Sequence, residues 1–208
     1  ANPPASWNGA LDALDAAERV LVVPGSEFST FTWGHTQDPP WTSTASVITR
    51  ELLPLGSPDR MDLLLAADDA IQEGRLVPNS MATVAQLLGA DHVWVAGDVD
   101  HERYRTAPLA VDVFDGADGL DTVELVDGVV GLYEVNTDDL GPTGSEVAVF
   151  GGGRGALAAI DAGLIRAGMT VWRADTAEDA VPVIVTDGDR DAVRQWRTSQ
   201  GTLGATSE

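Results

Sequence analysis

The stretch EVAVFGGGRGALAAIDAGLIRAGMTVW, residues 146–172, carries the reading of the fold. Glu146 to Phe150 is a short, mostly apolar run closed by glycines, which suits a strand. Arg154 to Ile165 reads as a helix and Met169 to Trp172 as the next strand. Beyond them, Val181 to Thr186 reads as a strand and Asp189 to Trp196 as a helix. Strands and helices that alternate in this way build parallel β-α-β units, with helices packed on a sheet.

Working upstream, Asn136 to Ser145 (NTDDLGPTGS) is polar and holds Pro and Gly, the composition of a linker. Before it, Thr122 to Val126 and Val129 to Val135 flank Asp127-Gly128, the strongest short hairpin signal in the chain. His92 to Ala96 and Arg19 to Val23 are apolar runs that read as buried strands, the latter ended by Pro24-Gly25. Ser57-Pro58 is a good helix start, a side-chain cap followed by Pro at the first helical position. Met61, Leu64, Leu65 and Ile71 continue that helix to Gly74. A second helix runs from Ser80, with Met81, Val84, Leu87 and Leu88 on one face and Gly89 as its stop. Trp7, Leu11, Leu14 and Ala17 have helical spacing from Trp7 to Glu18. The fold expected is therefore α/β, with two juxtaposed subdomains or sheets. Residues 1–140 form an α/β subdomain with a hairpin and a long aromatic loop. Residues 141–208 form a β-α-β subdomain, mainly parallel with flanking helices.

The formal charge of the 208-residue chain is −21, from 33 acids against 12 cations, every one of them Arg. A field of that sign repels phosphate backbones and anionic lipid, which argues against a nucleic-acid or membrane-surface reader. No run approaches the ~18 apolar residues of a membrane-spanning helix, so no direct insertion by this chain is expected. The absence of Cys removes disulfides, thiolate catalysis and Cys-based zinc sites together.

Three stretches bear on chemistry. Gly151-Gly152-Gly153-Arg154-Gly155-Ala156 satisfies G-x-G-x-x-A between a strand and a helix, and Asp175 follows 24 residues after Gly151. In a dinucleotide fold such glycines let backbone approach a pyrophosphate and the acid binds a ribose hydroxyl. The plainer reading is a tight turn that needs small residues, and only 52 residues follow Ala156, too few for a complete dinucleotide domain. A free-standing nucleotide- or dinucleotide-binding enzyme using this turn is the alternative function. Asp98-Val99-Asp100-His101-Glu102 offers hard oxygens and an imidazole after a strand, yet no complete calcium-loop pattern. His35 and His92 lack metal-ligand spacing and read as loop or sheet-edge residues. No nucleophile elbow or triad order is legible. No catalytic residue, metal or cofactor is therefore assigned to this chain.

From Ser26 to Leu55 the periodicity dissolves into about thirty residues of Pro, Thr and Ser, long for a connection in a compact domain. The stretch carries Phe28, Phe31, Trp33, His35, Asp38 and Trp41. Aromatic faces with a few polar groups suit sugar rings, while the plainer reading anchors a loop to the core. Phe31, Trp33, His35, Asp38 and Trp41 are the candidate carbohydrate-binding residues.

The run VLVVPGSEFSTFTWG (Val20 to Gly34), then Asp38-Pro39, Arg50 and Pro54-Leu55, resembles the actinobacterial α-(1→3)-arabinofuranosyltransferase family. The likeness continues through Met61 to Gly74, Val93 to Asp100, Gly151-Gly152 with the following helix, and Thr186-Asp187-Gly188 with Arg190 and Arg194. It departs at Phe31, Val47 and Ala96, where relatives usually carry Tyr, Trp and Arg. These are large GT-C-type membrane glycosyltransferases that build cell-wall arabinan from a lipid-linked donor. The resemblance implies that the catalytic acid lies in a loop of the transmembrane part. It also implies that this chain is an extracytoplasmic region of such a protein, whose partners are the rest of the parent and a cell-wall glycan.

Overall fold

A computed structural model describes residues 2–25, 30–36, 41, 45–50, 57–104, 107–136, 144–150, 152–173 and 181–185. After a 3-10 turn at Ala5–Trp7, α1 (Asn8–Ala13) leads through a second 3-10 turn to β1 (Arg19–Val23). A small hairpin follows, β2 (Thr30–Phe31) with β3 (Gly34–His35), and then β4 (Ser46–Ile48). Next come α2 (Pro58–Gln72), α3 (Met81–Leu88), β5 (His92–Ala96), the short α4 (His101–Tyr104), β6 (Leu120–Val126) and β7 (Val130–Val135). The last part comprises β8 (Glu146–Phe150), α5 (Gly152–Asp161), β9 (Thr170–Arg173) and β10 (Val183–Val185).

Five strands form one sheet in the order β4-β1-β5-β7-β6. β1 runs parallel to both β4 and β5, whereas β7 is antiparallel to β5 and β6. β8 is parallel to β9 and β10 in a second sheet, which makes the molecule α/β with an all-parallel C-terminal sheet among the described strands. The helix expected over Asp189 to Trp196 lies outside the described residues.

β1 and β5 read as unbroken apolar runs because both of their faces are covered, the situation of a parallel sheet between two layers. Strand geometry sends alternate residues to opposite faces. Leu21, Val23, Val93, Val95 and Tyr133 join the apolar cluster built with α2, α3 and α5. Val20, Val22, Trp94, Ala96, Val130 and Leu132 join an opposite cluster with Trp7, Leu14, Phe31 and Trp41. The first cluster extends to Val147 and Val149 of β8, so the two sheets share one core. At the crossing of α2 and α5, a Cβ on Gly153 would lie 2.0 Å from the Asp62 carbonyl oxygen, which admits only glycine.

Several expectations are corrected. Pro58 does open α2, but the Ser57 side chain makes no capping hydrogen bond. The segment from Trp7 is broken into a short helix and 3-10 turns, the last ending at Ala16. His92 is buried in a central strand rather than at a sheet edge. The stretch expected to be a loop contains β2, β3 and the edge strand β4. In the hairpin, the Val129 N–H donates to the Val126 carbonyl and Gly128 takes φ 67°, the left-handed conformation that glycine adopts without strain. The register of β6 shifts between Thr122 and Glu124, where Val123 forms a bulge.

Candidate functional site

The chain leaves β1 toward β4 on one side and leaves β5 toward β6 and β7 on the other. The carboxyl ends of β1 and β5 therefore flank a switch in strand order, the place where open α/β sheets hold ligands. Asp98 follows β5 at this edge. An isolated bridge joins Phe31 to Val99, the Thr32 N–H donates to the Asp98 carbonyl at 2.8 Å, and the Asp100 N–H donates to the Thr30 carbonyl at 3.1 Å. The β2–β3 hairpin is thus sewn onto the end of β5.

Asp98 is 6% exposed, and its Oδ2 accepts two indole N–H groups, from Trp7 at 3.0 Å and Trp33 at 2.6 Å. Its Oδ1 has no hydrogen-bond partner. Burial raises the Asp98 pKa above the usual aspartate value, only partly offset by the two indole bonds and its own backbone N–H. Asp98 is therefore a buried, hydrogen-bonded acid. His101 is shifted the other way, because burial disfavours imidazolium despite the Gly97 backbone contact and the Asp100 charge. Among the described residues, no group of three or more His, Asp or Glu side chains converges as a metal-ligand set.

The rings fix how Trp33 sits. Phe31 and Trp33 are parallel, with 2° between planes and 4.8 Å between centroids. Trp7 is perpendicular to both, 5.3 Å from Phe31 and 5.5 Å from Trp33. A ring nearly equidistant from two stacked rings stands beside the stack, not on top of it. One Trp33 face therefore lies on Phe31 and its N–H edge meets Asp98, and among the described residues no second ring stacks on the face opposite Phe31. Trp33 is half-buried and His35, in β3, is exposed. Phe31 and Trp41 are instead buried, and Trp41 stacks on Trp7 at 5.1 Å. Phe31 lies beneath Trp33, and Trp41 lies edge-on to Phe31 in the same buried cluster. Asp38 and Phe28 lie outside the described residues.

A second polar group lies at the ends of β1 and β4. Asp68, buried on α2, accepts the Gly25 N–H at 2.7 Å through Oδ1, and Arg50 at 3.1 Å and Gln72 at 2.6 Å through Oδ2. Arg50 also reaches Asp69 at 2.6 Å. Burial opposes its charge, but the bonds to Asp69 and Asp68 outweigh that and raise its pKa. Asp69 is in turn 3.6 Å from Arg154 on α5. The glycine-rich turn belongs to this packing: Gly153 is buried against the Asp62 backbone, and the Asp62 carboxylate lies beside Gly152. The close helix crossing accounts for the small residues, while Gly151 and Asp175 lie outside the described residues.

A family model described as alpha-(1->3)-arabinofuranosyltransferase, N-terminal GT-C domain, matches residues 2–207. The chain belongs to this family. The alpha-(1->3)-arabinofuranosyltransferase of Mycolicibacterium smegmatis is 31% identical over 128 residues, covering 58% of this chain and 9% of that protein. Cryo-EM structures of arabinofuranosyltransferase AftD from Mycobacteria have the same fold over part of their length. One matches with TM-score 0.56 and 23% identity, over 76% of this chain and 14% of that one. A point-mutant form matches with TM-score 0.61 and 22% identity, over 89% and 18%. The arabinofuranosyltransferase relatives are thus much longer than this chain. Among the described residues, no helix is long and apolar enough to cross a membrane.

Sequence reasoning singled out Phe31, Trp33, His35, Asp38 and Trp41 but not Trp7 and Asp98, which hold the described ones in place. Trp7 was read as a helix-face residue and Asp98 as one of several acids. Their bond spans 91 positions, and neither spacing nor residue type announces an indole donor paired with a distant carboxylate.

Proposed function

We propose that this chain is a non-catalytic, extracytoplasmic part of a larger membrane arabinofuranosyltransferase that acts in cell-wall arabinan synthesis. In this reading the surface around Trp33 contacts the glycan acceptor and helps guide it. Family membership supports the arabinan connection. The observation that carries the acceptor surface is the outer face of Trp33, held flat on Phe31 at the strand-order switch. Sugar C–H faces pack on such rings, while neighbouring polar groups take the hydroxyls. His35 and Asp38 are the proposed hydrogen-bonding partners. The division at residues 136–145 then separates a site-bearing part, 1–140, from a part, 141–208, that braces it through α5.

A single stacking contact supports only weak binding, about millimolar or roughly −4 kcal/mol. NMR titration with arabino-oligosaccharides is the test. Shifts are expected at the Trp33 indole and the amides of residues 30–36, and their loss in a folded Trp33→Ala variant. A well-folded wild type whose hairpin shows no shift at tens of millimolar ligand would leave this surface as scaffold.

A further inference from the structure

Asp98 is the buried group whose bonding the packing alone does not explain. A neutral acceptor, such as an Asn carbonyl, would satisfy two indole donors without the cost of burying a carboxyl. The carboxyl is instead nine-tenths buried, with both donors on Oδ2 and none on Oδ1. Among the described residues no cation pairs with it. The titratable groups on the segments joined here are Asp100 and His101 beside it in sequence and His35 on the hairpin, paired with Thr30. An ionised acceptor makes a hydrogen bond roughly twice as strong as a neutral one. One of the two donors, Trp7, is fully buried. The other, Trp33, is the half-buried ring that, among the described residues, carries no second stacked ring opposite Phe31.

We propose that Asp98 is a positioning residue for this surface: by bonding the Trp33 indole N–H it fixes that ring on Phe31, outer face outward, for the glycan. The role rests on the reading of Trp33 as the sugar platform. Trp7 anchors the carboxyl from the core side, so displacement of Asp98 is transmitted to the hairpin. Protonation of Asp98 removes the charge assistance and loosens the Trp33 bond. Burial places that change above the ordinary aspartate range.

The test uses wild type, Asp98→Asn and Trp33→Phe, all checked for folding by circular dichroism. The Trp33 indole ¹H–¹⁵N resonance is followed against pH without ligand, and arabino-oligosaccharide affinity is then measured at each pH. In wild type the indole resonance titrates with a midpoint above the ordinary aspartate range, and affinity falls through the same midpoint. In Asp98→Asn neither depends on pH around that midpoint, and affinity is weaker by about threefold. Trp33→Phe keeps a ring on Phe31 but has no donor, and its binding is likewise weak and flat there. A wild-type indole resonance that ignores pH, or variants that bind as wild type does, overturns the positioning role even when glycan binding is real. A titrating indole in a protein that binds no oligosaccharide at any pH refutes the glycan reading, and with it the role assigned here.

Discussion

Replacing Gly153 by Ala tests whether the glycine-rich turn serves helix packing. The added Cβ would lie 2.0 Å from the Asp62 carbonyl oxygen, 2.1 Å from its carbon and 2.5 Å from the Leu63 nitrogen. All three are backbone atoms, so no rotamer change relieves the contact. Reaching an ordinary 3.4 Å contact requires α2 and α5 to part by roughly 1.4 Å along that line. A gap of even ~1 Å forfeits up to half of the dispersion energy of the contacts it opens, and overpacking generally costs about 1–3 kcal/mol. Removing a glycine from a helix returns at most about 1 kcal/mol. A backbone clash with no rotamer to relieve it sits at the upper end of the overpacking range, so the expected net loss is about 2 kcal/mol, a fall in Tm of roughly 4–8 °C for a chain of this size. Gly9→Ala in α1 is the control, because its Cβ would meet only the Glu124 carboxylate at 3.7 Å or beyond. It should be neutral or raise Tm. Thermal and urea unfolding of the three proteins read the contrast directly. A Gly153→Ala protein as stable as wild type would refute the packing argument. Micromolar nucleotide binding that this variant loses would revive the cofactor reading.

Three further outcomes are expected. Gly128→Ala meets no atom within 4 Å and pays only for its positive φ, so urea unfolding should show a loss of about 1 kcal/mol. Asp68→Asn turns an amide donor toward the Arg50 and Gln72 donors or toward the Gly25 N–H, and should lose about 2–3 kcal/mol in the same assay. For Asp91, burial disfavours the charge, but the Glu18 and Arg19 N–H donors and His92 outweigh it and lower the pKa. Its stabilisation is thus complete above the unfolded value of 3.8 and lost as pH falls through the lower folded value. The urea midpoint of Asp91→Asn should therefore lie below wild type at neutral pH and converge with it in acid.

Strands β1, β5, β7 and β8 were legible because burial on both faces, or a hairpin turn, writes long apolar runs and Asp-Gly into the chain. β4 was not. Its three residues sit among Ser and Thr, and only pairing with β1 makes them a strand. The aromatic stretch was legible as unusual but not as divided. Phe31 and Trp33 differ by two positions, yet one is buried and the other only half-buried, because the hairpin turns between them. A ring's identity says nothing about which face a distant residue will cover. Asp98 was hidden for the same reason, since its partners lie 65 and 91 positions away.

The bulge at Val123 bears on how copies of this protein meet one another. β6 is an edge of the larger sheet and carries Val123 and Leu125 exposed, the ingredients of intermolecular strand addition. The register shift breaks the row of unpaired amides that an incoming strand would need. The opposite edge, β4, is only three residues long. Among the described strands, the larger sheet therefore presents no long, regular edge for edge-to-edge growth at either end.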